Sequence, residues 1–374
     1  MFETFLFVPN TTTSRGAHIR DCNDMKRTMI VVVVALMPAL LFGMYNTGYQ
    51  VGMTGWAAFW FGFLKVLPMI VVSYVVGLGI EFFFAQKRGH EVNEGFLVSG
   101  LLIPMIMPVG TPLWMIALGT AFAVIFGKEV FGGTGMNVFN PALVARAFVF
   151  FAYTPFISGE KVWFADDAVS GATALEQLAT SGAMSYSTAD AFLGFIPGCV
   201  GETSTLAILI GAAILLFTGV ASWRTMSFVF IGGLAMGYFF QALGVTTYPA
   251  WEHLIVGGFA FGAVFMATDY VTSPFTLKGK LIYGVGCGIL TALIRLFGSL
   301  PEGVSFSIII MNILVPHIER LTTPSPLEAP KHQRKSKAEK RRRAHESEAE
   351  AVEGNLDPTV SSFSSALFPR CCSP

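Results

Sequence analysis

Two stretches decide the fold: Met29-Ile-Val-Val-Val-Val-Ala-Leu-Met-Pro-Ala-Leu-Leu-Phe-Gly-Met-Tyr45, and Val66-Leu-Pro-Met-Ile-Val-Val-Ser-Tyr-Val-Val-Gly-Leu-Gly-Ile-Glu-Phe-Phe-Phe84, in which Glu81 is the only charge. A helix needs roughly 17 to 25 apolar residues to cross the hydrocarbon core of a bilayer, where its backbone must satisfy its own hydrogen bonds. Working outward, eight further apolar runs lie near 96–107, 113–126, 143–153, 205–220, 226–243, 254–267, 281–297 and 304–316. The expected fold class is therefore an all-α polytopic membrane protein of about ten transmembrane helices. Several runs are short and are interrupted or bounded by Pro and Gly (Pro104, Pro108, Pro112; Gly132, Gly133, Gly135, Pro141; Gly257, Gly258, Gly262), as broken helices lining a central site would be.

Composition agrees. Of 374 residues, 53% are hydrophobic and only 13% charged, about half the charge of a soluble globular domain. Lys plus Arg and Asp plus Glu both number 24, so no net charge points to nucleic acid. The five cysteines (Cys22, Cys199, Cys287, Cys371, Cys372) show no C-x-x-C spacing, and neither a disulfide framework nor a metal site is read from them. The first twenty residues lack the pattern of a signal peptide.

The basic residues set an orientation. With the N-terminus cytoplasmic, inside segments carry Arg15, Arg20, Lys26, Arg27, Lys87, Arg88, Lys128, Arg146, Arg224, Lys278, Lys280 and Arg320, while opposite loops hold little beyond Lys161, with Lys65 and Arg295 near helix ends. Both termini are then inside. Splitting ten spans after the fifth gives two five-helix halves of inverted topology, an arrangement with a site near the midplane. The expected organisation is an N-terminal cytoplasmic segment (1–27), a first half (28–154), a long outside loop (155–203), a second half (204–320), and a disordered cytoplasmic tail (321–374) that is basic, then acidic, then Ser-rich. The tail's basic run suits anionic lipid, and the plainer reading is a solvated extension.

Candidate chemistry lies at few positions. In the outside loop, Asp167-Ala-Val-Ser-Gly-Ala-Thr173 places Ser170 and Thr173 ahead of an apolar stretch, and spacing alone reads Thr173 as a helix cap. Phe131-Gly-Gly-Thr-Gly-Met-Asn-Val-Phe-Asn-Pro141 leads into the fifth span: Asn140 suits a cap and Pro141 a first turn. Arg146 follows within two turns, where it suits an inside anchor. Glu81, deep in its span beside Gly77 and Gly79, is costly there and reads as a functional carboxylate. Phe261, Phe265 and Asp269 recur at a spacing of four, as packing or as an aromatic constriction ending in a carboxylate. Glu81, Glu202, Asp269 and Glu319 are oxygen groups that would suit a hard cation.

The D-x-x-S-G-A-T pattern at Asp167 to Thr173 resembles the sequence at which a flavin transferase joins FMN to threonine by a phosphoester bond. Its surroundings are Lys128-Glu-Val-Phe-Gly-Gly-Thr-Gly-Met-Asn-Val-Phe-Asn-Pro-Ala-Leu143, Gly201-Glu-Thr-Ser-Thr-Leu206, His18-Ile-Arg-Asp21, Asp24-Met-Lys-Arg27, His90-Glu-Val-Asn-Glu-Gly95, Gly257-Gly-Phe-Ala-Phe-Gly262 and Met266-Ala-Thr-Asp269. Together these resemble the B subunit of the sodium-translocating NADH:quinone oxidoreductase over roughly 18–320. The resemblance implies a redox subunit of a six-subunit translocase in the bacterial inner membrane. Thr173 would carry covalent FMN within the Asp167, Ser170, Gly171, Ala172 recognition sequence. A second, noncovalent flavin (riboflavin) and ubiquinone would bind the same chain, with the Asn137 and Asn140 amides at a flavin ring edge, Arg146 as a cation beside it and Gly77 and Glu81 at the quinone, and electron flow would drive sodium outward along a path drawn from Glu81, Glu202, Phe261, Phe265, Asp269 and Glu319. The small Gly171 and Ala172 would let transferase and phosphate approach the backbone. The D subunit of the related ion-pumping ferredoxin:NAD oxidoreductase is the nearest alternative, and a cofactor-free channel or transporter of the same fold the alternative of a different class. No nucleotide-binding signature occurs, so NADH would be oxidised by a partner subunit. The N-terminal part is shorter than usual in that family, and the 322–374 tail departs from its pattern.

Overall fold

The computed structural model describes residues 25–89, 95–157, 162–164, 171–181, 185–298 and 303–323. Within these residues the chain is helical and contains no strand. Six helices are long and apolar enough to cross a membrane: α1 (Met25–Tyr49), α2 (Gly55–Arg88), α4 (Leu113–Gly127, continued by a 3-10 turn at Glu129–Phe131), α9 (Trp223–Ala242), α12 (Leu277–Phe297) and α13 (Val304–Thr322). Three shorter apolar helices join them: α3 (Gly95–Met105), α5 (Pro141–Ala152) and α8 (Thr205–Phe217). The remaining apolar run, the eighth in chain order, is interrupted. A single turn, α10 (Glu252–Ile255), is followed by a break and then by α11 (Phe259–Phe261), which runs into a π-helical segment at Gly262–Met266. Two small helices, α6 (Ala174–Ser181) and α7 (Thr188–Leu193), lie in the long loop.

All ten apolar runs thus have a helical counterpart. The fourth, bounded by Pro112 and by the glycines after Phe131, is one continuous helix, whereas the third stops at Met105 and the eighth is broken at Val256–Gly258. α2 lies against α1 and α4, and α4 against α5; α9 lies against α12, and α12 against α13; α1 and α8 also meet.

Close helix contacts rest on glycine. A Cβ on Gly62 would sit 1.8 Å from the Met44 carbonyl oxygen of α1, and one on Gly288 would sit 2.3 Å from the Gly233 nitrogen of α9. Such approach lets backbones pack where lipid offers no hydrophobic drive between helices. Facing outward are large apolar groups such as Leu64, Val75 and Phe217, the last 92% exposed. An exterior this apolar belongs in lipid.

The broken helix α3 leaves a carbonyl at Met105 that its own helix does not satisfy, and the N–H of Gly201 donates to it at 2.7 Å. That bond ties the segment before α8 to the middle of the bundle. Segments 1–24, 90–94, 158–161, 165–170, 182–184, 299–302 and 324–374, which include Asp167, Ser170 and the tail, lie outside the described residues.

Candidate functional site

Two recesses enter the bundle from opposite ends of α5. The loop-side recess, its open mouth included, spans about 650 Å³ and is bordered by Arg146, Trp163, Thr173, Cys199, Glu202 and Thr203. The basic-side recess, measured in the same way, spans about 740 Å³ and is bordered by Lys128, Asn137, Asn140, Phe265 and Asp269.

Thr173 opens α6. Its Oγ1 accepts from the Glu176 N–H at 3.2 Å and its carbonyl from the Gln177 N–H at 2.9 Å, so the cap read from spacing is present. α6 is held in place by its apolar face: Ala174, Leu175 and Leu178 are buried against Ala191, Ile196, Tyr248 and Val256. The amphipathic pattern of the loop therefore fixes the rim on which Thr173 stands.

Behind it lies a buried charge cluster. Arg146 Nη1 donates to Cys199 Sγ at 3.3 Å and lies 3.6 Å from Glu202 Oε1, with both charged side chains nearly sealed from solvent. Burial pushes the Cys199 thiol well above its ordinary range against the pull of Arg146, so the sulfur is a neutral thiol and Glu202 supplies the countercharge. A Cβ on Gly258 would sit 2.7 Å from the Glu202 carboxylate, so the break between α10 and α11 is shaped around that group. Arg295 secures the same break from the far side, donating to the carbonyls of His253 at 2.6 Å and Val256 at 3.2 Å. Two buried polar groups on the recess wall, Trp163 Nε1 and Thr203 Oγ1, have no hydrogen-bond partner among the described residues. Such groups are costly to bury alone and suit an acceptor-rich ligand.

At the other end, Asn140 does two jobs. Its Oδ1 accepts from the Ala142 N–H at 2.9 Å, capping α5 ahead of Pro141, while its Nδ2 donates to Asp269 Oδ2 at 3.4 Å. Asn137 donates to the Phe139 carbonyl at 2.9 Å. Asp269 also accepts from the Val271 N–H at 3.2 Å and the Thr272 hydroxyl at 3.3 Å. Phe261, the last residue of α11, and Phe265, on the π-helical segment, have ring centroids 5.0 Å apart. Phe261 packs toward Gly201 and Phe265 borders the basic-side recess. π-helical turns concentrate at functional positions because the extra residue re-aims side chains.

A family model described as NQR2, RnfD, RnfE family matches residues 12–328. The chain belongs to this family. Among its relatives is a protein of Chromohalobacter salexigens named as the B subunit of Na(+)-translocating NADH-quinone reductase, 46% identical over 355 residues, covering 85% of this chain and 86% of the relative. Proteins of the same name from Stutzerimonas stutzeri (42% identical over 361 residues) and Pseudomonas paraeruginosa (41% over 357) each cover 85% of this chain and 89% of their own.

In this member of the NQR2, RnfD, RnfE family, the expected site residues fall into separate groups. Asn137 and Asn140 do not share a recess with Thr173. Arg146 does, so it is a buried group of the loop side rather than an anchor at the basic end. Glu81 is paired with Lys128, both side chains buried, and neither Lys65 nor Lys87 is its partner. Gly77 and Glu81 share a buried face of α2, but the ring of Phe96 fills the space beside Gly77, where a Cβ would meet it at 1.8 Å; Gly79 faces outward with nothing near. Glu319 borders neither recess and accepts from the Phe275 N–H at 2.9 Å, joining the start of α12 to the end of α13. Lys128, Trp163, Thr203, Cys199 and Arg295 were not singled out as site residues from sequence. Only Lys128 and Arg295 carried a signal, as charges at the ends of apolar runs.

Proposed function

We propose that this chain is the membrane redox subunit of a sodium-translocating NADH–quinone reductase in a bacterial inner membrane, with both termini cytoplasmic, and that Thr173 carries FMN through a phosphoester. The observation that carries the reading is the position of the Thr173 hydroxyl: on the rim of a recess, at a helix N-terminus that favours phosphate, in front of a buried arginine and two unpartnered polar groups. When bound, the flavin supplies one- and two-electron chemistry.

The chain's own residues would do the rest. Thr203 and Trp163 present polar atoms to ring acceptors, and Arg146 places positive charge where negative charge develops on reduction. Glu202 holds Arg146 in place, and the α6 cluster keeps the rim closed over the site. Gly171 and Ala172 leave the backbone open to a flavin transferase.

The basic-side recess would take the second flavin, riboflavin, at the Asn137 and Asn140 amides. The carboxylates Glu81 and Asp269 would receive sodium from the cytoplasm, with Phe261 and Phe265 as the barrier between the two sides and Glu202 beyond it. Glu81 is carried forward as an ion ligand rather than a quinone contact, because Phe96 fills the Gly77 side. Electrons would arrive from partner subunits of a six-subunit complex, pass between the flavins and leave to ubiquinone, coupled to sodium export. Lipid covers the outer surface.

The test is flavin fluorescence of the chain on a denaturing gel after coexpression with a flavin transferase. The native chain should fluoresce and Thr173→Ala should not. A dark native band, or a fluorescent Thr173→Ala band, would refute the assignment.

A further inference from the structure

The fold spends a buried ion pair where nothing in helix packing demands one. Glu81, two turns from the end of α2, meets Lys128 at the C-terminus of α4, with 5% and 4% of their side chains exposed. Removing two charges from water costs several kcal/mol each, and apolar replacements of similar volume generally pack as well or better. Around the pair the charges balance: Arg88 Nη1 bonds Glu129 Oε2 at 3.0 Å, so Glu81, Lys128, Glu129 and Arg88 form a neutral group of four. Lys128 also borders the basic-side recess, and on that wall lies Asp269, whose neighbours are the Asn140 amide, the Val271 N–H and the Thr272 hydroxyl. Among the described residues no cationic side chain pairs with Asp269. Lys128 and Asp269 both border the recess, and with Glu81, Glu129 and Arg88 behind Lys128 the group carries one carboxylate more than it carries cations.

We propose that Lys128 is the resident counter-cation of this recess: its ammonium occupies at Glu81 the place that an entering monovalent cation takes, and is displaced when that cation arrives. An ammonium on a flexible four-carbon stem is a compact point charge able to leave one carboxylate for another, which a planar guanidinium locked by paired hydrogen bonds is not. Lys128 acts through Glu81 and is a positioning residue, not a ligand of the transported ion. The inference rests on the reading of this recess as the sodium entrance.

The experiment measures the sodium dependence of NADH-driven quinone reduction by the purified complex, separating KM for sodium from kcat. In Lys128→Met the competitor is gone, so KM for sodium falls about tenfold or more, the order of effect of one adjacent charge, while kcat falls because the ion leaves slowly. In Lys128→Arg the carboxylate is gripped more firmly and KM for sodium rises. Opposite movements of KM are not produced by a pair that only supports the fold. Should Lys128→Met fail to assemble, Lys128→Arg, which keeps the charge, carries the test, and an unchanged sodium KM in it overturns the inference. Glu81→Gln separates the two layers. If its sodium KM is unchanged, the recess is not the ion entrance and that part of the functional reading falls with the inference. If Glu81→Gln raises KM and Lys128→Arg does not, only the inference falls.

Discussion

Replacing Arg146 by Met removes the cation of a sealed cluster while filling nearly the same volume. Arg146 and Glu202 lie 3.6 Å apart with 3% and 6% of their side chains exposed, so no water is available to take over from either partner. Arg146→Met leaves the Glu202 carboxylate facing the neutral thiol of Cys199, and a buried ion stripped of its partner typically costs about 3–5 kcal/mol. Glu202→Gln leaves the guanidinium with the thiol, and its cost should be of the same order. The double variant, Arg146→Met with Glu202→Gln, removes both charges, so its loss should be smaller than the sum of the two by about 2 kcal/mol or more. A thiol-reactive fluorophore suits the measurement in detergent, because Cys199 and Cys287 are buried and react only on unfolding. Cys22, Cys371 and Cys372 are first changed to Ser so that the signal comes from the bundle. Losses that simply add would refute the coupling, and with it the argument that Glu202 holds Arg146 in position for the loop-side site.

Two further outcomes follow from the same geometry. Gly77→Ala drives a methyl into the Phe96 ring and should cost at the upper end of the about 1–3 kcal/mol usual for overpacking, with recovery in Gly77→Ala plus Phe96→Leu; a well-tolerated single substitution, read by the same thiol-labelling assay, contradicts the packing. His253, in the turn between α9 and α11, has its pKa lowered from 6.5 to about 4, first by burial and then by Arg295, so the folded chain holds it neutral where an unfolded chain binds a proton. Its contribution is complete above pH 6.5 and is lost as pH falls toward 4, by about 3 kcal/mol in all. Melting temperatures across that range should fall less steeply in His253→Leu, and identical slopes would count against the assignment.

The number of apolar runs, their approximate ends and the interruption of the eighth were legible because a bilayer imposes a length and a composition on every crossing segment, and both are written along the chain. The caps at Asn140 and Thr173 were legible for a similar reason: the groups they satisfy lie two or three residues away. Resemblance, and not spacing, is what puts Thr173 forward as a flavin site, since a small hydroxyl before a helix has the same pattern whether or not it carries a prosthetic group.

What tertiary structure alone decided is who meets whom. Glu81 finds Lys128 across 47 residues, and Arg146 finds Cys199 across 53. A basic residue near the end of an apolar run looks the same in sequence whether it anchors at the lipid surface or turns inward to a carboxylate, because orientation statistics register the charge and not its direction. Asn140 and Arg146 are neighbours on one helix, six residues and about 9 Å of rise apart, and for that reason they belong to different recesses at opposite ends of it. Sequence thus determined the medium, the spans and the local caps, all of which depend on nearby residues. The pairing of buried charges and the division into two recesses came from helix packing, which brings together groups that the chain keeps far apart.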